Sequence, residues 1–528
     1  MRHTEYVISK SLPYKATFIF KNESQIRGYV REILQEATYK VYKGKQTDRK
    51  QIAVYLKQTS DQRFRLYYIL TENSLEELSI RLRDLIPKID VKVKELQKEF
   101  PEDKDETETL LDLALDDLKE DFRIIEKDIF IQVKEKVAEV CNNYDLCSDV
   151  CYYQVAEEQI EPFITKCKAI LSSEKNSISP VIDYARIQGN LLSDWMDDDT
   201  ELVLIDGEGI GHDTKEASQL STRHYDYFYQ SDAIVLVEES KRPFVVSGKN
   251  ALKSIFERGY GRKLLIVFTK LDEVLPYDTE EPSRDDKINE VNHALENVLS
   301  ALKDEKVEIT IDDENTFYLS EVNKPEPDEE TINQLITIIN KSKELSSFKF
   351  TFITPEYDFE MLSAYLIEST NKFIHIYENL LNNEHWQTIK AFNRRMCWGI
   401  DGFRMFTPIA DFEEKINDEV KEFISHPKGW SKEVTERLQT ESINQIKQEF
   451  NQLILQFARQ IIIKLPNLDW EDSLAYYGAG STYVRKRKID EILKKAVPIN
   501  KITEHAVRFK DEIKKLLIEA IKNCEKKA

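Results

Sequence analysis

The chain has 528 residues, with 96 acidic against 75 basic side chains and a formal net charge of −21. At roughly 100 to 200 residues per domain, that length implies about two to four compact units, and a hydrophobic content of 41% supplies real cores, which argues against wholesale disorder. The acid excess argues against non-specific nucleic-acid binding, which needs cationic surface to displace phosphate counterions.

The first residues, Met1 to Glu5, contain no apolar signal core. No apolar run is long enough for a membrane span, so a cytoplasmic location is expected. Residues 14–21, following Pro13, read as a strand, and from about Ser74 to Ser173 the texture becomes charged and helical. There Leu110, Leu111, Leu113, Leu115 and Leu118 lead into Phe122, Ile125, Ile129 and Val133 near a 3.6 period. Pro101 and the acidic stretch after it are expected to divide this piece into two helices. Six cysteines are too few for a disulfide scaffold. Cys141, Cys147 and Cys151 lack zinc-knuckle spacing and read as punctuation of a helical segment.

From Asp198 four short apolar runs follow: Leu202–Ile205, Ala233–Val237, Leu264–Phe268 and Thr316–Leu319. Short apolar strands alternating with helical stretches indicate a parallel α/β sheet, closed by a helix over about Glu330 to Leu345. Beyond Phe350 the chain reads as helical. Val434, Leu438, Ile443, Ile446, Phe450, Leu453, Ile454 and Phe457 form one amphipathic helix ended by Pro466. Trp386, Trp398, Trp430 and Trp470 read as helical core. The expected organisation is an N-terminal sheet segment over 1–73, a helical insertion over 74–197, an α/β core over 198–346 and a helical domain over 347–528.

Two segments carry chemistry. Leu202-Val203-Leu204-Ile205-Asp206-Gly207-Glu208-Gly209 delivers an aspartate at a strand end and a glycine three positions later. An aspartate there can hold the hydration shell of Mg2+, and the glycine lets a backbone N–H approach a γ-phosphate. Leu264 to Phe268 likewise ends in Thr269-Lys270-Leu271-Asp272. A carboxylate can accept the ring N–H and exocyclic amine of guanine, which adenine cannot offer together, while a lysine stem covers the base. A third strand leads into Ser320-Glu321-Val322.

In order and spacing these segments resemble the P-loop GTPases, and among them the dynamin-like and guanylate-binding-protein-like groups. The resemblance covers about residues 10–345, with its motifs confined to 202–322. It implies a P-loop GTPase-like sheet, incomplete at the N-terminus, that binds GTP or GDP with Mg2+ and hydrolyses GTP. Asp206 would be the magnesium-linked acid, with Thr4 or, less readily, Thr17 as the hydroxyl ligand. Gly209 would sense the γ-phosphate, and Thr269, Lys270, Asp272 and Ser320 would form the base pocket. Helical regions would serve a homo-oligomer or a partner protein.

A phosphate loop of the form G-x-x-x-x-G-K-[ST] is missing. Gly44-Lys45-Gln46 has no glycine five residues earlier, and Gly248-Lys249-Asn250 has Pro243 in that place. The backbone N–H cradle and its lysine supply much of triphosphate binding. Truncation is the expected cause, with a partner-supplied half or a degenerate domain as alternatives. Hydrolysis by the chain alone is therefore expected to be weak or absent, and no water-positioning residue is assigned.

Two rival readings remain. Asp206, Glu208, His212, Asp213 and His224 would suit a metal-dependent phosphohydrolase, and loss of the phosphate loop would suit a non-catalytic scaffold. Residues 482–528 carry 14 basic against 7 acidic side chains. Gly478-Ala479-Gly480-Ser481-Thr482 opens this region before Arg485-Lys486-Arg487-Lys488, which raises the expectation of peripheral membrane contact.

Overall fold

The computed structural model describes residues 3–46, 48–57, 64–99, 107–147, 151–207, 209–210, 220–276, 281–305, 307, 309–322, 324, 326–349, 351–476, 480–498 and 503–527. The strands are β1 (His3–Ile8), β2 (Tyr14–Phe20), β3 (Tyr152–Glu157), β4 (Ile182–Gly189), β5 (Leu202–Asp206), β6 (Ile234–Glu239), β7 (Leu264–Thr269) and β8 (Thr316–Tyr318). Two short segments, β9 (Pro355–Glu356) and β10 (Gly429–Trp430), pair with each other. The longer helices in the first half are α1 (Glu23–Lys43), α2 (Arg49–Lys57), α3 (Glu72–Glu99), α4 (Thr107–Asp117), α5 (Lys119–Val140), α6 (Ile160–Leu171), α7 (Thr222–Gln230) and α8 (Val246–Glu257). Then come α9 (Arg284–Asp304), α10 (Glu329–Ser347), α11 (Leu362–Asn383), α12 (Trp386–Cys397), α13 (Pro408–Ser425), α14 (Glu436–Ala458), α15 (Asn467–Ala475), α16 (Ser481–Ala496) and α17 (Glu504–Lys527). The protein is thus mixed α/β and predominantly helical. Among the described residues no helix is long and apolar enough to cross a membrane.

Two compact units form. The first comprises Met1–Gly209, His385–Arg394 and Glu471–Arg487; the second comprises Ile210–Glu384, Arg395–Trp470 and Lys488–Ala528. These differ from the four consecutive segments expected, because two stretches of the expected C-terminal helical domain return to the first unit.

In the first unit a five-stranded sheet has the order β3-β2-β4-β1-β5. β1 runs parallel to β4, and the other neighbours are antiparallel. β2 turns Ala16, Phe18 and Phe20 inward and leaves the alternate residues half-buried, the period-2 pattern of a strand with one covered face. α1 begins at a capping box, in which Asn22 accepts the Gln25 N–H and the Gln25 side chain accepts the Asn22 N–H. It buries Ile26, Val30, Ile33, Leu34, Ala37 and Val41 and packs with α2, α3 and α5. The expected helical insertion over 74–197 also holds β3 and β4, so part of it belongs to the sheet. The expected break at Pro101 falls outside the described residues; Pro87 lies within α3 without ending it.

The second unit holds a separate three-stranded parallel sheet, β6-β7-β8. Leu264 to Phe268 of central β7 are all buried, as the continuous apolar run requires for a strand covered on both faces. Leu265, Val267, Phe317 and Leu319 form a core against Leu335, Ile338 and Leu345 of α10, while α8 packs with β6. α11, α13, α14 and α17 pack together around Phe373, Phe412, Phe457 and Phe509. The expected long helix does end at Pro466, but in two parts: α14 passes into a π-helical segment at Arg459–Lys464, which Leu465 caps.

The sequence reading placed Leu202–Ile205 in one parallel sheet with the three later strands. Instead β5 pairs antiparallel with β1, from Thr4 opposite Asp206 to Ile8 opposite Leu202. An apolar run fixes that a strand forms, but the choice of partner depends on which edge is available.

Candidate functional site

The β7–β8 end of the second unit gathers four of the expected site residues. At the end of β7 the chain turns through Lys270 in the left-handed region, φ 57°. This turn buries Leu271 and lets its N–H donate to Leu319 O at 3.1 Å. After β8, Glu321 is also left-handed, φ 51°, and its N–H donates to Asp272 Oδ1 at 3.0 Å. Two non-glycine residues in this region, each at a cost on the order of 1 kcal/mol or more, are thus used to link the two strand ends.

The surrounding polar groups hold the rim in shape. Thr269 Oγ1 donates to Glu238 O at 3.2 Å, and Ser240 N–H donates to Thr269 O at 2.9 Å. The Lys270 ammonium pairs with Glu239 at 2.5 Å, and this hydrogen bond raises the lysine pKa. Lys287 donates to Asp272 O at 2.8 Å. Ser320 is buried; Arg284 donates to its hydroxyl at 3.2 Å and to Tyr318 O at 2.6 Å. Ser320 N–H donates to Thr331 Oγ1, which itself donates back to Ser320 O, both at 3.1 Å. Asp272 is exposed, and its Oδ2 takes no hydrogen bond among the described residues, so an acceptor oxygen points outward from a braced loop.

The other expected site residues lie in the first unit. Thr4 is buried and stands directly opposite Asp206 across the β1–β5 pair. Asp206 is exposed as a residue, but partial desolvation of its carboxyl raises the carboxyl's pKa, and its charge in turn helps raise that of Tyr6. At Gly209 an added Cβ would meet nothing within 4 Å; the space is open. Thr17, the weaker hydroxyl candidate, pairs within β2 opposite Arg186 and Gln154, and Gln154 donates to its hydroxyl at 3.1 Å.

One carboxylate and one hydroxyl fall short of the oxygen shell that Mg2+ takes from a protein without substrate phosphates. Among the described residues no group of three or more His, Cys, Asp or Glu could hold a metal. Glu208, His212 and Asp213 of the hydrolase reading lie outside the described residues. His224 Nδ1 lies 2.8 Å from Ser221 Oγ at the start of α7. The cysteines are free thiols.

Both Gly-Lys pairs have structural roles. Gly44 ends α1 with its N–H on Lys40 O. Gly248 lies in α8, where a Cβ would come within 2.0 Å of Glu238 Oε1. It makes room for the buried Glu238 carboxyl, whose Oε2 accepts Phe244 N–H at 2.9 Å. The sequence reading did not identify Glu238, and its position at the end of an apolar run was the available signal.

The C-terminal basic excess is extensively paired. Arg485 is buried and donates to Tyr476 O at 2.7 Å. Lys494 pairs with Asp490 and Glu378, Lys488 with Glu491, Lys515 with Glu512 and Lys527 with Glu449. Gly478 and Ala479 lie outside the described residues. Trp386 and Trp470 are buried helical residues, whereas Trp398 and Trp430 are half-buried and Trp430 lies in the short strand β10.

No model of a known protein family matches the sequence, and no curated protein matches it.

Proposed function

We propose that the chain binds a guanine nucleotide through the β7–β8 rim of its second unit, as the dynamin-like and guanylate-binding-protein-like GTPases that its motifs resemble do. The observation that carries the reading is the Asp272–Glu321 bridge between two left-handed turns. It positions one carboxylate oxygen internally and leaves the other to accept from the base. Guanine presents its ring N–H and exocyclic amine as donors on one edge, whereas adenine presents an unprotonated ring nitrogen whose lone pair would face such a carboxylate.

GTP hydrolysis by this chain alone is weak or absent on this reading. Asp206 and Thr4 are on a different sheet, Gly209 follows that sheet's β5 in the first unit, and neither Gly-Lys pair forms the lysine and N–H cradle that stabilises transferring phosphoryl charge. Magnesium would enter with the nucleotide phosphates. The structural roles of Gly44 and Gly248 favour, as a second reading, a non-catalytic interaction protein.

Titration of a fluorescent GDP analogue into the full chain separates these readings. Saturable binding that GDP displaces, ADP does not, and Asp272→Ala weakens at least about tenfold supports guanine recognition. Equal displacement by ADP, or binding unchanged in Asp272→Ala, removes it.

A further inference from the structure

The first unit's sheet has two edge strands that differ in kind. On one edge, β3 turns Val155 inward and mixes Gln154 and Glu157 with an exposed Tyr152. On the other, β5 consists of Leu202, Val203, Leu204 and Ile205 before Asp206. Val203 and Leu204 are adjacent, so they point to opposite faces, and they are 52% and 47% exposed. No strand pairs with the edge of β5 away from β1 among the described residues. The edge also lacks lysine, proline and any bulge in its pairing with β1.

We propose that the outer edge of β5 is a docking site for an extended polypeptide strand, apolar at its centre and basic at its ends, that adds to the sheet. The unpaired N–H and C=O groups select a strand, since a helix or a folded surface cannot satisfy them in register. Apolar side chains on both faces select an occupant whose own side chains are apolar on both faces. Charge selects its ends. Asp197, Asp198, Asp199 and Glu201 precede β5, and Asp206 ends it; all are exposed, with Asp198 paired to Lys10. The same charges disfavour a second copy of this chain, because antiparallel β5–β5 pairing centred between Val203 and Leu204 sets Glu201 against Asp206. Like charges directly opposite each other destabilise a strand pair. The site lies on the first unit, shares no residue with the proposed base rim and does not depend on it.

The probe is a dye-labelled peptide with a five-residue Val/Ile centre and two lysines at each end, titrated by fluorescence anisotropy into the full chain. Saturable binding is expected, together with slowed amide exchange at residues 202–206. It should weaken at least about tenfold in Leu204→Lys, on replacing the peptide lysines with glutamates, or on N-methylating alternate peptide amides. Leu204 is exposed, so its substitution leaves the fold intact, which circular dichroism checks; Asp272→Ala should bind the peptide like the parent. No saturable binding at millimolar peptide overturns the proposal, as does equal binding of the N-methylated peptide. A chain that sediments as a dimer, and becomes monomeric in Leu204→Lys, would assign the edge to a second copy instead.

Discussion

At the scale of single residues, buried carboxyls determine how the helical part of the second unit responds to acid. Asp411, near the start of α13, is buried, and desolvation pushes its carboxyl up to about 7; Tyr377 donates to it. Asp401 accepts the Ile409 N–H at 3.1 Å, and desolvation raises it to about 6. In the unfolded chain such groups titrate near 3.9. Between about pH 4 and 7 the folded state therefore holds protons that the unfolded state has released, and these groups lose stabilising effect as pH rises through that window. Asp411→Asn keeps the neutral shape and removes the titration. Urea unfolding should show this variant gaining stability relative to the parent as pH goes from about 5 to 8. A parent–variant difference that is flat across that range would contradict the assignment. The neighbourhood of Thr269, Lys270, Asp272 and Ser320 was readable at this scale, since each follows an apolar run and the two strand ends are hydrogen-bonded to each other. The left-handed turns at Lys270 and Glu321 were not readable, because neither residue is a glycine or asparagine that would advertise positive φ.

At the scale of elements, α7, α8, α13 and α14 are fastened by charge within the second unit. Arg258, at the end of α8, donates through Nε and Nη2 to the two oxygens of Glu413 on α13, at 2.6 and 2.5 Å. Its guanidinium also lies 4.2 Å from the Tyr225 ring centre. The pair is 4% and 0% exposed, so removing one partner leaves the other charge buried without compensation. Glu413→Ala is expected to cost about 3–5 kcal/mol, whereas Arg258→Met with Glu413→Leu costs far less. Denaturant melts of the three proteins check this, and a single variant no less stable than the double would contradict it. Arg459 similarly grips Asp226 of α7 with both ends of its fork, at 3.1 and 2.5 Å, where α14 becomes π-helical. Periodicity identified α14 and the β6, β7 and β8 runs. It did not separate α14 from its π-helical end, since apolar residues continue through Ile461, Ile462 and Ile463. Nor did it find β1, β3 and β4, whose mixed polar and apolar residues give weaker alternation than β2 does.

At the scale of the whole molecule, the chain crosses between two units rather than running through consecutive domains. Residues 385–394 and 471–487 return to the first unit, a long-range assignment that no local composition shift marks. The same property explains why β5 was expected beside β6: sequence order suggested one sheet, whereas hydrogen bonding joins β5 to β1. Of the residues expected at a nucleotide site, Thr269, Lys270, Asp272 and Ser320 lie on the second unit, and Thr4 and Asp206 are neighbours on the first. The central claim is therefore the narrower one, that Asp272 and the loop after β8 read a guanine base. Amide hydrogen exchange of the full chain, with and without GDP, tests it most directly. Slowed exchange confined chiefly to residues 269–273 and 319–322 is expected, with GDP effective and ADP not. Unchanged exchange at those amides in saturating GDP, or the same protection with ADP, would contradict it.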